Sequence, residues 1–291
     1  MENNYVIVTD STANLPYEMI EKYGVEVLSL NYYVDDQEYK GYEKGKEMDL
    51  TRFYQMMREK KHIVTSLVSI KDGVDLFSSI LNQGMDLMYI GFSSGLSGTY
   101  QSMNMVLDDF KADYPERKIY AIDSLSAALG EGLLVYYALM NKEAGMSIEE
   151  NADWIIKNRK RICHWFTVDD LFFLKRGGRI SATTAVVGTT LSIKPVLHVD
   201  NEGHLISMKN VRGRKKSLDE LVEKLTEHIA EPLNQPIFIS HGDALKDAEY
   251  VAKKIKERID VEVTLISVLD PVIGAHSGPG TIALFFMGDE R

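Results

Sequence analysis

Three times in its first half the chain runs from a short apolar strand through a loop of small polar residues into a helix, and this recurrence most restricts the fold. Tyr5-Val6-Ile7-Val8-Thr9 leads through Asp10, Ser11 and Thr12 to a helix from about Pro16 to Tyr23 that Gly24 stops. Asp86 to Phe92 leads to a helix from Thr99 to about Phe110, and Lys118 to Asp123 to a helix from about Ala128 to Glu143. Buried strands alternating with helices at this spacing imply parallel βαβ units with helices on both sheet faces, a Rossmann-like arrangement. Ligands of such sheets sit beyond the carboxyl ends of the strands, where all three loops fall. Between the first two units, Val25 to Leu30 reads as a strand, Asp35 to Lys46 as an exposed loop or hairpin, and Leu50 to Lys60 as a helix.

The second half changes character. Ile162 to Val168, Val196 to Val199, Leu205 to Lys209, Ile237 to His241, Val261 to Val268 and Thr281 to Phe286 are strand candidates, with helices near Leu218 to Ile229 and Leu245 to Arg258. Uneven crossovers and a hairpin-like turn at Gly203 point to an α+β domain with a largely antiparallel sheet. The expected organisation is therefore an α/β protein of two domains. Residues 1–160 form the Rossmann-like domain with its parallel sheet, and residues 161–291 form the α+β domain. A chain of 291 residues, 45% of them hydrophobic, can bury two such cores.

Cys163 is the only cysteine, which excludes an intrachain disulfide and a thiolate cluster and fits a reducing cytoplasm. No signal-peptide pattern opens the chain, and no apolar run approaches the roughly 20 residues of a membrane-spanning helix, so a soluble protein without an integral membrane segment is expected. The net charge of −10 argues against nucleic acid and anionic membrane as partners of the surface as a whole. Two local exceptions stand out. Lys175-Arg176-Gly177-Gly178-Arg179 and Arg212-Gly213-Arg214-Lys215-Lys216 concentrate basic residues next to glycine. Such clusters are commonly solvated faces, and they also suit docking of an acidic partner or its nucleotide.

The segment Ser93-Ser94-Gly95-Leu96-Ser97-Gly98-Thr99-Tyr100 joins strand to helix with two glycines and hydroxyls at Ser94, Ser97 and Thr99. It offers a close backbone approach and hydrogen-bond donors to an anion, or else only a tight turn and a helix cap. Thr65-Ser66 and Asp123-Ser124 add hydroxyls at the same sheet edge. In Ile273-Gly274-Ala275-His276-Ser277-Gly278-Pro279-Gly280-Thr281 the imidazole of His276 is flanked by residues too small to cover it, so it can reach an anion or simply bond a backbone carbonyl. The remaining histidines show no metal-ligand spacing, and no metal or cofactor is expected. There is no Gly-x-Ser-x-Gly elbow, phosphate-binding loop or dinucleotide fingerprint, so ATP chemistry would need a partner.

Taken in order, Thr9-Asp10-Ser11-Thr12-Ala13, Thr65-Ser66, Ser93 to Tyr100, Leu174-Lys175-Arg176-Gly177-Gly178-Arg179-Ile180, Ile193-Lys194-Pro195-Val196-Leu197 and Gly274 to Gly280 resemble the DegV family, nearly end to end. The family includes the fatty-acid-binding subunits of bacterial fatty acid kinase. The resemblance implies a long-chain fatty acid such as palmitate between the two domains. Its carboxylate would be held by Thr65, Ser97 and His276, its tail would enter the second domain, and Arg176 and Arg212 would dock a separate ATP-dependent kinase; the neighbouring Ser66, Ser94 and Ser277 join the expected carboxylate site, and Arg179 the expected docking surface. The protein itself would be non-catalytic. Where the family often has Thr-Ser-Gln-Pro-Ser, this chain has Thr65-Ser66-Leu67-Val68-Ser69, which changes that loop's expected backbone course while keeping its hydroxyls. Ala182 to Ile193, small and apolar, is the candidate tunnel wall, or else an ordinary core helix. A Ser97/His276 hydrolase or acyltransferase and a partnerless lipid storage or transport protein are the alternative functions. Monomer is the default oligomeric state.

Overall fold

A near-continuous apolar run, as in Tyr5–Asp10 (β1), is what a strand covered on both faces requires, and the computed structural model places β1 in the middle of a four-stranded parallel sheet. The structure describes residues 4–46, 48–180, 192–231 and 234–291. Glu26–Leu28 (β2), β1, Asp86–Gly91 (β6) and Ile119–Asp123 (β7) are neighbours in that order, all parallel. Side chains alternate between two cores. Tyr5, Ile7, Met88 and Ile90 point toward the helices Leu129–Glu143 (α5) and Ile148–Asn158 (α6). Val8, Leu87 and Tyr89 point toward Ile70–Asn82 (α3) and Thr99–Asp113 (α4). Helices thus cover both faces, as expected.

The stretch read as one strand from Val25 to Leu30 is divided. β2 ends at Leu28, and Asn31–Val34 (β3) turns away to form a small antiparallel sheet with Gln37–Lys40 (β4) and Ile63–Thr65 (β5). Ser29 marks the junction, its hydroxyl accepting from the amide of Tyr42 at 3.0 Å. The hairpin expected between Asp35 and Lys46 is the β3–β4 pair, turning at Asp35 and Asp36, both at positive φ. The short helix Tyr17–Tyr23 (α1) ends at Gly24 as expected, and Leu50–Arg58 (α2) is capped by Asp49.

From Ile162 onward the strands build a six-stranded sheet in the order Leu205–Arg212 (β10), Ile193–Val199 (β9), Ile162–Thr167 (β8), Ile282–Met287 (β13), Phe238–His241 (β11), Leu265–Val268 (β12). Only β11 and β12 run parallel. One face, carrying Cys163, Trp165, Leu284 and Phe286, packs under Arg214–His228 (α8) and Leu245–Ile259 (α9). The other, carrying His164, Phe166, Ala283 and Phe285, turns toward the parallel sheet. Helix α5 lies between the sheets, touching β1 and β6 on one side and β8, β11 and β13 on the other.

The expected strand Val261 to Val268 is shorter, since only Leu265–Val268 pairs. Four of the described helices were not read from the sequence: α3, α6, Phe172–Arg176 (α7) and Pro271–Ser277 (α10). The candidate tunnel wall from Ala182 lies outside the described residues as far as Leu191, and Ile193 opens β9. No helix among the described residues is long and apolar enough to cross a membrane.

Candidate functional site

His276 was read in an open loop; it lies instead on the last turn of α10, and the sequence around it explains why. Asp270 caps that helix by accepting from Val272 N at 2.8 Å and Ile273 N at 3.2 Å, with Pro271 at the first helical position, where its missing N–H costs nothing. Gly274 lets the helix lie against α2, where an added Cβ would meet Tyr54 Oη at 2.7 Å. Gly177, just after the helix Phe172–Arg176 (α7), leaves room for the imidazole: a Cβ there would sit 2.2 Å from His276 Nδ1. The small residues flanking His276 thus allow close packing, and the ring is largely covered.

His276 Nε2 lies 2.9 Å from Thr65 Oγ1, at the end of β5. Burial, reinforced by the positive charges of Arg179 and Arg176, pushes the imidazole down to about 4, so it is neutral at physiological pH. If Nε2–H donates to Thr65, the threonine hydroxyl is left to donate to a ligand.

Ser97 lies in the loop between β6 and α4. Its Oγ donates to Thr99 Oγ1 at 3.0 Å and accepts from Thr99 N at 3.2 Å. The loop is fastened to the second half of the chain, because Ser93 Oγ donates to Gly203 O at 2.9 Å. Gly95 is required here, since a Cβ would come within 2.9 Å of the carbonyls of Glu202 and Gly203 in the β9–β10 turn.

Thr65, Ser66, Ser97, His276 and Ser277 all line a cavity between the parallel and the six-stranded sheets, with about 930 Å³ of space not filled by protein atoms, part of it open to solvent. Ser277 Oγ is buried with no hydrogen-bond partner among the described residues, a donor that a bound group could satisfy. The rest of the wall is almost wholly apolar, with Leu30, Phe92, Phe166, Leu269, Ala283 and Phe285 prominent. From Thr281 near the hydroxyls to Phe285 along β13 is about 14 Å at ~3.4 Å per residue.

Other expected residues fall elsewhere. Ser94 is not on the cavity wall; its amide bonds Asp123 Oδ1 at 3.2 Å and its carbonyl accepts from Gln101. Arg176 is exposed on α7, over the rings of Phe172 and Phe173, and Arg212 is exposed at the end of β10. Arg214, counted in the same basic run, is engaged with Asp247 and Asp169. Arg179, grouped with the docking arginines, instead lines the cavity. So does Leu67, where the sequence departs from the usual Thr-Ser-Gln-Pro-Ser.

Sequence reasoning did not anticipate His164. Its Nδ1 lies 3.0 Å from Ile162 O, which can only accept, so Nδ1 carries the proton and Nε2 is an acceptor. Nε2 is buried without a hydrogen-bond partner among the described residues and rests against Gly130 of α5, where a Cβ would sit 2.1 Å away. Burial holds this imidazole far below its ordinary range, so it remains neutral and presents a lipophilic surface beside Phe285. No sequence signal marks the pairing, because Gly130 and His164 belong to different elements. Among the described residues, no group of three or more His, Cys, Asp or Glu side chains is placed to hold a metal ion.

These features define an α/β protein with a parallel and a largely antiparallel sheet and, between them, a mainly apolar cavity that also holds hydroxyls, imidazoles and one arginine. The chain belongs to the DegV family, whose model, described as "Uncharacterised protein, DegV family", matches residues 4–289. It is 42% identical to a DegV domain-containing protein of Clostridium perfringens, covering 99% of this chain and 98% of that one. Among solved structures it resembles a fatty-acid-binding DegV family protein of Thermus thermophilus, at 28% identity and TM-score 0.87, covering 98% of this chain and 99% of that one. It is equally close in fold to a stearic-acid-binding protein of Eubacterium ventriosum, at 25% identity and TM-score 0.87, covering 98% of each chain.

Proposed function

We propose that this protein binds one long-chain fatty acid and presents its carboxylate to a separate ATP-dependent kinase that forms acyl phosphate in the cytoplasm. The carrying observation is the cavity: a mainly apolar lining that also includes Thr65, Ser66, Ser97, His276 and Ser277. In this reading residues 1–160 supply most of the carboxylate-binding loops, with His276 and Ser277 contributed from 161–291. The acyl tail lies against the second sheet. Burying a methylene contributes about 0.8 kcal/mol, so some 14 of them supply roughly 11 kcal/mol before the costs of association and ordering. The two solved relatives named above are described as binding fatty acid or stearic acid, which supports the same cargo here. The exposed Arg176 and Arg212 are the proposed kinase-docking residues.

The hydrogen bonding does not favour a hydrolase. Ser97 Oγ is engaged with Thr99 and His276 Nε2 with Thr65, so the nucleophile-to-base bond of such an enzyme is not made.

Titration calorimetry with hexadecanoate tests the binding. One ligand per chain is expected, with Ser97→Ala and Thr65→Val each weakening it about tenfold, the worth of one hydrogen bond to a charged group. Lack of binding by the unmodified protein would refute the cargo. The presenting role is tested by adding a purified fatty acid kinase subunit and ATP to the loaded protein and trapping acyl phosphate with hydroxylamine. Arg176→Ala and Arg212→Ala should lower the yield while leaving fatty acid bound. No hydroxamate from the unmodified pair would refute presentation and leave binding standing.

A further inference from the structure

We propose that Arg179 is the counter-charge for the bound carboxylate, and that it gives the cavity its preference for a free fatty acid over an uncharged lipid of the same length. This rests on the reading that the cavity takes an acyl chain. Among the described residues that form the wall, Arg179 is the only one with a permanent charge, and no Asp or Glu joins it. The wall's two histidines, His164 and His276, are both held neutral by burial. Hydroxyls and a neutral imidazole can orient a carboxylate, but a full negative charge moved out of water is compensated best by a full positive one.

The placement of the guanidinium is specific. Its Nε donates to Leu96 O at 3.1 Å, one residue before Ser97. Its Nη1 donates to Gly177 O, in the turn that packs on the imidazole of His276. The side chain therefore ties its own turn, which packs on His276, to the loop that carries Ser97. Its hydrogen bonds among the described residues go to carbonyl oxygens and use two of the five N–H donors of a guanidinium. The same positive charge helps to keep His276 uncharged. One permanent cation thus faces one anion, with neutral donors around it.

A bridging role alone would make Arg179 a positioning residue for any ligand, and the two roles separate on ligand charge. Affinities for hexadecanoate and hexadecan-1-ol are measured at pH 7.5 with the unmodified protein, Arg179→Gln and Arg179→Lys. The unmodified protein should prefer the acid by a factor of ten or more. Arg179→Gln should lose about tenfold or more for the acid and stay within about twofold for the alcohol, the loss of one charge-assisted contact. Arg179→Lys, which keeps the charge without the planar fork, should recover part of the difference. Equal losses for acid and alcohol, or no loss for the acid, would overturn the inference while leaving the acyl cavity intact. If the unmodified protein binds neither probe, the acyl-binding reading falls and the inference with it.

Discussion

The imidazole of His276 is neutral because it is buried beside two arginines, and that state lets it hydrogen-bond Thr65 without adding a second positive charge. Its ring nitrogens should show no titration between pH 8 and 5.5 in nitrogen-15 NMR spectra; a midpoint near 6.5 would mean the ring is solvated. Asp270 carries the opposite shift, with burial raising its carboxyl to about 7 against 3.8 for a free side chain. A raised acid favours the folded state when protonated, so this contribution is fully present below about pH 4 and is lost as pH rises to 7. Asp270→Asn keeps an oxygen for the cap while removing that titration. Its stability relative to the unmodified protein should therefore rise between pH 4 and 7, by up to roughly 4 kcal/mol. Parallel denaturation curves across this range would contradict it. The hydroxyl at position 97 was legible because Ser, Thr and Gly cluster after a parallel strand, where such sheets bind ligands, whereas Thr65 and Ser66, read at the same sheet edge, belong to the end of β5 in the small antiparallel sheet and just beyond it. Ser94 was misplaced because adjacent residues of one loop point different ways, and one-dimensional spacing carries no direction.

At the scale of elements, the strand-loop-helix units were legible wherever a run of apolar residues met a glycine or hydroxyl stop. Helix α6 was missed although its signal is present: Ser147 and Glu150 form a capping box, with Ser147 N donating to the glutamate at 2.9 Å and Glu150 N to the serine at 3.2 Å. Helix α10 was missed because Gly274 and Gly278 read as loop. Only the face of α2 shows why Gly274 is tolerated inside a helix. Gly130 poses the same problem in α5, where it makes room for His164. Replacing a helical glycine with alanine normally stabilises by about 0.5–1 kcal/mol. Here Gly130→Ala should destabilise, and it should force the imidazole toward the cavity so that recovered acyl chains shorten. Gly130→Ala combined with His164→Ala should restore long chains. Mass spectrometry of ligands bound from an equimolar C12–C20 mixture checks this, and an unchanged chain profile in the single variant would contradict it.

At the scale of the whole molecule, one of the hydrophobic clusters spans the parallel and the six-stranded sheets. A single cluster of buried side chains runs from Tyr5 and Ile90 through Leu133 and Leu134 to Phe166, Phe238 and Phe285. Periodicity could identify each sheet but not the sharing of α5, since contacts between distant elements leave no repeat in the chain. The two halves should therefore unfold in one transition, and saturating fatty acid should raise its midpoint by mass action, about 2.7 kcal/mol at one hundred times Kd. The most direct test of fatty-acid binding is mass spectrometry of the organic extract of native purified protein, beside a Ser97→Ala, His276→Ala double variant. One C14 to C18 fatty acid per chain, depleted in the variant, is the expected result. No acyl chain in either sample, with the native protein also failing to take up added fatty acid, would contradict it.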